Sequence, residues 1–289
     1  MNNNNIANKV LCAGLKTRCL GTSLTDEEVT TEVLQRHNAL KGAMRVTKTR
    51  LKEALDPFKK LRGEARRYFN SETLPGISDD LRIIPSTRLV KMQEAVLAFN
   101  ERDATLLSEL RHNYADEIEK DRAALGDRFD ASLYPPADAL GQHFSIQLTV
   151  CDLPSGDYAR IAGLDDAAKA QMKLEHDAML VQVGPNARND VMKKLTGLIQ
   201  VVADKMGNPD AKAFHESTFT NLKEYLDLVP ELNITNDPVL EQMRREATDK
   251  LNFSMQTVKN SDTLKAAAAA NAKSILTRFG AVGARKLAA

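Results

Sequence analysis

The chain has no tryptophan, and aromatic residues make up only 5% of its 289 positions. A core without large rings must be filled by Leu, Ile, Val, Met and Ala, a palette that packs well between helices. No apolar run approaches the roughly 18 residues that a membrane span needs. Charge of one sign is not in excess. The 40 basic and 39 acidic residues leave a net +1, which excludes a global pull toward nucleic acid or membrane, so any electrostatic partner must be read locally. The three cysteines, Cys12, Cys19 and Cys151, are odd in number and form no CxxC pair. They read as reduced thiols of a cytosolic protein. The segment Met1–Asn5 is polar and lacks a basic stretch followed by an apolar one, so no secretory signal is expected.

Catalytic signatures are missing too. There is no Gly-Lys-Ser/Thr loop, no GxGxxG after a strand, no GxSxG, no HExxH and no EF-hand loop. The histidines, His37, His112, His143, His176 and His215, have no second ligand three or four residues away. His37 reads as a satisfied core histidine on a helix seam. His143 and Cys151 flank one strand, and that spacing alone does not make a nucleophile–base dyad. No catalytic residue, metal ligand or cofactor is therefore expected.

What the chain does have is helical periodicity. From Thr25 to about Phe69, Val33, His37, Leu40, Met44, Thr47, Leu51, Ala54, Phe58, Leu61, Ala65 and Tyr68 recur at steps of four and three. That spacing predicts one long helix packed along its length on a partner. Thr25 and Glu28 can form its capping box, and Asp56-Pro57 should kink or divide it. A turn region over 70–86 precedes a second helix, Thr87 to about Leu125, so the two should lie antiparallel. Phe144–Val150 alternates strictly and predicts a strand, with residues 9–20 and 81–84 as its partners. Leu51 and Phe58 are expected to be buried near Phe99 and Leu106. Further helices are expected over 165–183, 189–205, 212–228, 238–258 and 262–279. Gly184-Pro185 and Pro230 serve as breaks, Asp237-Pro238 as a cap, and the Ala266–Ala270 run as a site of close approach.

The fold class is thus mostly α (α+β). It comprises a long antiparallel helical hairpin with a small antiparallel β-sheet at its base, and a C-terminal helical bundle. The expected division is a disordered 1–8, the hairpin with its sheet over 9–152, the bundle over 153–280 and a flexible tail over 281–289.

One local charge asymmetry stands out. Between Lys41 and Arg67, ten basic residues face only Glu53, Asp56 and Glu64, a surplus of seven. On one helix, Lys41, Arg45, Lys48, Lys52, Lys59, Lys60, Arg66 and Arg67 could bind a phosphate backbone. The alternative is a solvated face, or one complementing the second helix, which carries Glu94, Glu101, Asp103, Glu109, Asp116, Glu117, Glu119 and Asp121. Few aromatics accompany the cations, which disfavours single-strand stacking.

Three passages carry a family resemblance. They are the strand leading into Thr25-Asp-Glu-Glu-Val29, the Tyr134-Pro-Pro136 to Phe144-Ser-Ile146 passage, and Phe214 to Thr248. The last contains Thr218-x-x-Asn221-Leu222 and Leu232-Asn-Ile-Thr-Asn-Asp-Pro238. In this order they resemble an uncharacterised family of phage and bacterial proteins with a domain of unknown function. Its members are often encoded beside a MoxR-type AAA+ ATPase and a von Willebrand A-domain protein similar to cobaltochelatase subunits. The resemblance implies a phage-type accessory protein of the host cytoplasm. The expected function is accordingly non-enzymatic: an adaptor binding a protein partner through long helices, either an AAA+ ATPase or itself as an oligomer. The alternative is a nucleic-acid-binding protein using the basic 41–67 segment to shield DNA or inhibit a host nuclease. A metal- or Cys-dependent enzyme is the third reading.

Overall fold

The computed structural model describes residues 6, 8–78, 80–154, 162–207, 217–253, 257–258 and 261–286; at Ser217 and over 280–286 only the backbone is described. His215 and the expected helix start at Lys212 lie outside these residues, as does most of the expected disordered 1–8. Ile6 packs on the main core.

The chain is mostly helical with two small sheets. In order, its elements are β1 (Val10–Arg18), β2 (Ser23–Thr25), α1 (Glu27–Arg36), β3 (Thr47–Thr49), α2 (Lys52–Glu72) and β4 (Arg82–Pro85). Then follow α3 (Leu89–Leu125), β5 (Ser145–Cys151), α4 (Asp166–Gly207), α5 (Ser217–Leu232), α6 (Pro238–Lys250) and α7 (Asp262–Lys286). The larger sheet joins the three expected strands in the order β4-β1-β5, so β5 lies beside β1 and not beside β4. β1 and β4 run antiparallel, with Val10 opposite Pro85 and Ala13 opposite Arg82. On β5, Ile146 is buried while Gln147 and Thr149 are exposed, so the alternation sets which face turns inward.

The single long helix expected over 25–69 is two helices with a ribbon between them. α1 stops at Arg36, Asn38 has φ +50° and Gly42 φ +91°. The β-branched run Val46-Thr47-Lys48-Thr49 then pairs with Ser23–Thr25 instead of continuing a helix. Thr25 therefore belongs to β2. The cap is Asp26, whose carboxylate accepts from the Val29 N–H at 3.1 Å, and Glu28 pairs with Arg128 rather than completing a box. His37, placed on the seam by the periodicity, is exposed at the α1 C-terminus, and Leu40 is 84% exposed.

α2 begins where a second left-handed residue, Leu51 (φ +48°), turns the chain. A non-glycine residue there is strained, and two bonds hold it. Its N–H donates to Asp121 at 2.6 Å, and its carbonyl accepts from the Leu55 N–H. Pro57 sits inside α2 without dividing it.

Two compact units result. One comprises Leu15–Phe69 and Lys91–Thr149; the other comprises Met1–Gly14, Asn70–Val90 and Val150–Ala289. This replaces the expected boundary at 152/153, because the first half of β1 and the 70–90 connection join the C-terminal unit.

In the first unit α2 and α3 form the antiparallel hairpin. Arg62 meets Asp103, Glu64 meets Arg102, and Tyr68 meets Phe99, so partner numbers fall as position rises. Leu51, Leu55, Phe58, Leu110, Tyr114, Leu140 and Phe144 form its core, with Leu106 packed against it. Phe99 lies farther along than expected, against Tyr68. α3 ends at Leu125, and Gly126 takes the positive φ (+54°) that stops the helix.

In the other unit α4 runs 42 residues through Gly184-Pro185, where two helices had been expected. The missing proline hydrogen bond costs ~3 kcal/mol. Burial of Val183, Ala187, Val191, Leu195, Ile199 and Val202 in one continuous core offsets it. Pro230 likewise lies within α5, not in a connector. α6 starts as predicted, with Pro238 first and Asp237 accepting from the Val239 and Leu240 N–H groups at 2.7 and 3.2 Å. It ends at Lys250 rather than Val258. α7 contacts α4, and Ala268, Ala269 and Ala272 are buried, which is the close approach the alanine run predicts. α7 continues past Gly280 and Gly283 to Lys286, into the span expected to be a flexible tail. Between α2 and β4, Gly76 is obligatory, since a Cβ there would lie 1.7 Å from the Leu81 carbonyl oxygen.

Two outcomes follow from this packing. Phe58, 1% exposed and 4.3 Å from the Phe144 ring, should cost about 3–5 kcal/mol when changed to Ala, measured by urea denaturation. Glu241, with hydrogen bonds from Arg244 and then Arg245, is held down to about 2 from an ordinary 4.5. A depressed carboxylate stabilises the fold above its unfolded value and loses that contribution as pH falls toward 2. Glu241→Gln should therefore lower the thermal midpoint at pH 7 and leave it unchanged near pH 2.

Candidate functional site

The basic segment is not one surface. Lys41 and Arg45 lie in the loop between α1 and β3, and Lys48 lies on β3, so three of the eight expected residues are not on a helix. Lys41 and Arg45 line an open groove of about 830 Å³ against α1, together with Glu27, Thr31 and Asn38. Arg45 Nε donates to Thr25 Oγ1 at 2.6 Å. Lys48 is half-buried, donating to the Arg128 carbonyl at 3.1 Å and standing 4.0 Å from Asp26. The groove brings together charged, amide and hydroxyl side chains and no histidine or cysteine.

Two further cations of the segment serve the fold. Arg50 donates to the carbonyls of Gly21 and Leu133, and burial pushes its pKa down. Arg62 is buried, bidentate on Asp103, bonded to the Arg18 carbonyl at 3.1 Å, and lies over the Phe58 and Phe144 rings. Among the described residues, Arg62 alone of the ten is paired with a carboxylate of α3; the expected complementing of the second helix is confined to that one residue.

Lys52, Lys59, Lys60, Arg66 and Arg67 remain together on α2, and all five are exposed. Lys52, Lys59 and Arg66 are seven residues apart, so they fall on one line down the helix. Lys59 Nζ donates to Thr22 Oγ1 at 2.7 Å, and Arg66 reaches the Leu15 carbonyl at 3.4 Å. The second of these contacts brings in Lys16 and Arg18, exposed residues of β1 that the count over 41–67 does not include. Their signal was present in the strand pattern, where both occupy the outward parity opposite Leu15.

The helix α4 carries a different feature. Ala167, Gln171, Leu174, Ala178, Val181 and Pro185 are all exposed, with Leu174 at 65% and Val181 at 53%. Steps of four and three alternate through all six. The opposite side of the same stretch holds His176, 4% exposed, whose Nε2–H donates to the Pro154 carbonyl at 2.8 Å. Sequence reading placed this stretch in the bundle by its helical pattern and missed the outward seam.

His143 precedes β5 and Cys151 is its last residue, with the strand between them. Among the described residues no three His, Cys, Asp or Glu side chains are grouped to hold a metal ion, and no helix is long and apolar enough to cross a membrane. Tyr134 donates to Asp121 at 2.9 Å, and burial, then that carboxylate, pushes its pKa up. This fixes the hairpin end. Compared with known proteins, the chain matches no family model, no curated protein and no solved structure.

Proposed function

We propose that the protein is a non-enzymatic adaptor that docks a partner helix on the first half of α4. The observation supporting this reading is the exposed seam of Ala167, Gln171, Leu174, Ala178, Val181 and Pro185. Its alternation of four and three is the spacing by which one helix packs along another. An apolar stripe of this length in water marks an interaction surface. The resemblance to the phage-type family makes an AAA+ ATPase of the host cytoplasm the first partner to test, and a second copy of the chain the next. The test is Leu174→Asp with Val181→Asp. Binding to a MoxR-type AAA+ ATPase, or self-association by analytical ultracentrifugation, should weaken at least tenfold while the helical circular dichroism is unchanged. A double variant that binds as wild type overturns the proposal.

A second reading rests on the α2 cations, since Lys52, Lys59, Lys60, Arg66 and Arg67 project to solvent without α3 carboxylates opposite them. Such a stripe suits the phosphates of duplex nucleic acid. Reversing Lys52, Lys59 and Arg66 to Glu should lower duplex affinity about equally for all sequences, because phosphate contacts carry no base information. In wild type the log–log salt slope should be near −0.9 per phosphate neutralised. Binding no tighter than about micromolar at physiological salt, unchanged by the triple reversal, would remove this reading.

A further inference from the structure

We propose that Cys151 is an oxidant-sensitive thiol and that Cys12 is its resolving partner, the two closing a cross-strand disulfide between β5 and β1. The strands are neighbours in one small antiparallel sheet, and the two thiols lie within hydrogen-bond reach of each other. Facing residues on antiparallel neighbours have Cα atoms about 4.5–5.5 Å apart, inside the roughly 4.4–6.8 Å that a disulfide spans. Two thiols in contact across such neighbours lie within bridging range.

The two thiols differ in a way that assigns their roles. Cys151 is exposed at the end of β5, whereas Cys12 has no exposed surface. Burial, then the neighbouring Cys151, pushes the Cys12 thiol up to about 11, so it keeps its proton and is shielded from solutes. An oxidant from solution meets Cys151 first. Cys19, half-buried after β1, has no thiol among the groups that perturb it and serves as an internal control.

With a hydroperoxide as the oxidant the chemistry closes. The Cys151 sulfur attacks the outer peroxide oxygen, the O–O bond breaks, and the sulfur becomes a sulfenic acid as water or an alcohol departs. The Cys12 sulfur then attacks the Cys151 sulfur. The S–S bond forms, the S–O bond breaks, and the leaving hydroxide takes the Cys12 proton as water. Two thiols lose two electrons and two protons, and the peroxide receives both. Contact between the sulfurs makes the second step intramolecular, which favours it over reaction with another chain.

The test uses the full chain, reduced and then treated with stoichiometric hydrogen peroxide. Titratable thiols should fall from the three in the sequence to one. Non-reducing peptide mapping should show Cys12 linked to Cys151, and the oxidised protein should melt at a higher temperature than the reduced one. Cys19→Ser should leave the link intact. Cys151→Ser should keep both remaining thiols under the same treatment, and Cys12→Ser should stop at a sulfenic acid that dimedone traps. Oxidation of Cys151 to a sulfinic acid with the Cys12 thiol intact in wild type would overturn the proposal, as would a disulfide through Cys19 or between chains.

Discussion

The hairpin unit depends on the Arg62–Asp103 pair. Both side chains are about nine-tenths buried, so each ion has lost most of its water. Such a pair persists only where every donor is used, because an unpaired buried charge costs several kcal/mol. Here two guanidinium nitrogens bind the two carboxylate oxygens, a third binds the Arg18 carbonyl, and two phenyl faces cover the plane. One side chain thereby sets the α2–α3 register, anchors the end of β1 and places Phe144 at the start of β5. The geometry is strict because the fork of Arg62 is rigid. A sliding of α2 against α3 by one turn would leave both charges bare.

A parallel device orders the connection in the other unit. Arg88, buried in the connection that follows β4, is bound by Glu72 and by Glu231 of α5, the latter at 3.1 Å. Despite the loss of solvent, the two carboxylates raise its pKa. Arg188 does the same for the helix cap at Asp237. The interior of this protein is poor in aromatic rings, so orientation that large rings would set by shape is set by arginine–carboxylate forks. Their directional bonds supply a specificity that Leu, Val and Ala side chains lack.

The legible parts of the fold are those where local chemistry and the tertiary packing agree. β5 could be read because Ile146 alternates with Gln147 and Thr149. α6 could be read because Asp237 and Pro238 suit the first turn of any helix. The α3 span could be read because apolar residues recur on one side for ten turns. Misreadings came where the two disagree. Val33, Leu40 and Met44 keep a helical period into a segment that is a loop, since a period has no term for the β-branched run at 46–49. Pro185 and Pro230 were taken as breaks, and Pro57 as a kink or a break, yet each sits inside a helix whose neighbours are buried deeply enough to offset one lost hydrogen bond. The cation stripe suffered from the first error: a count of charges over 41–67 does not say which are tied to carbonyls and which are free.

By itself the sequence determined the helical class, the outward and inward faces of β5, and the caps that start α1 and α6 to within a residue. These follow from side-chain period and from hydrogen bonds made within four residues. Only the tertiary structure decided that α4 runs unbroken, that Arg62 is a core residue while Lys59 is not, that Leu174 and Val181 face water, and that Cys12 and Cys151 meet. Each of these depends on which distant segment comes to lie alongside, and burial against such a segment outweighs the propensity of any single residue.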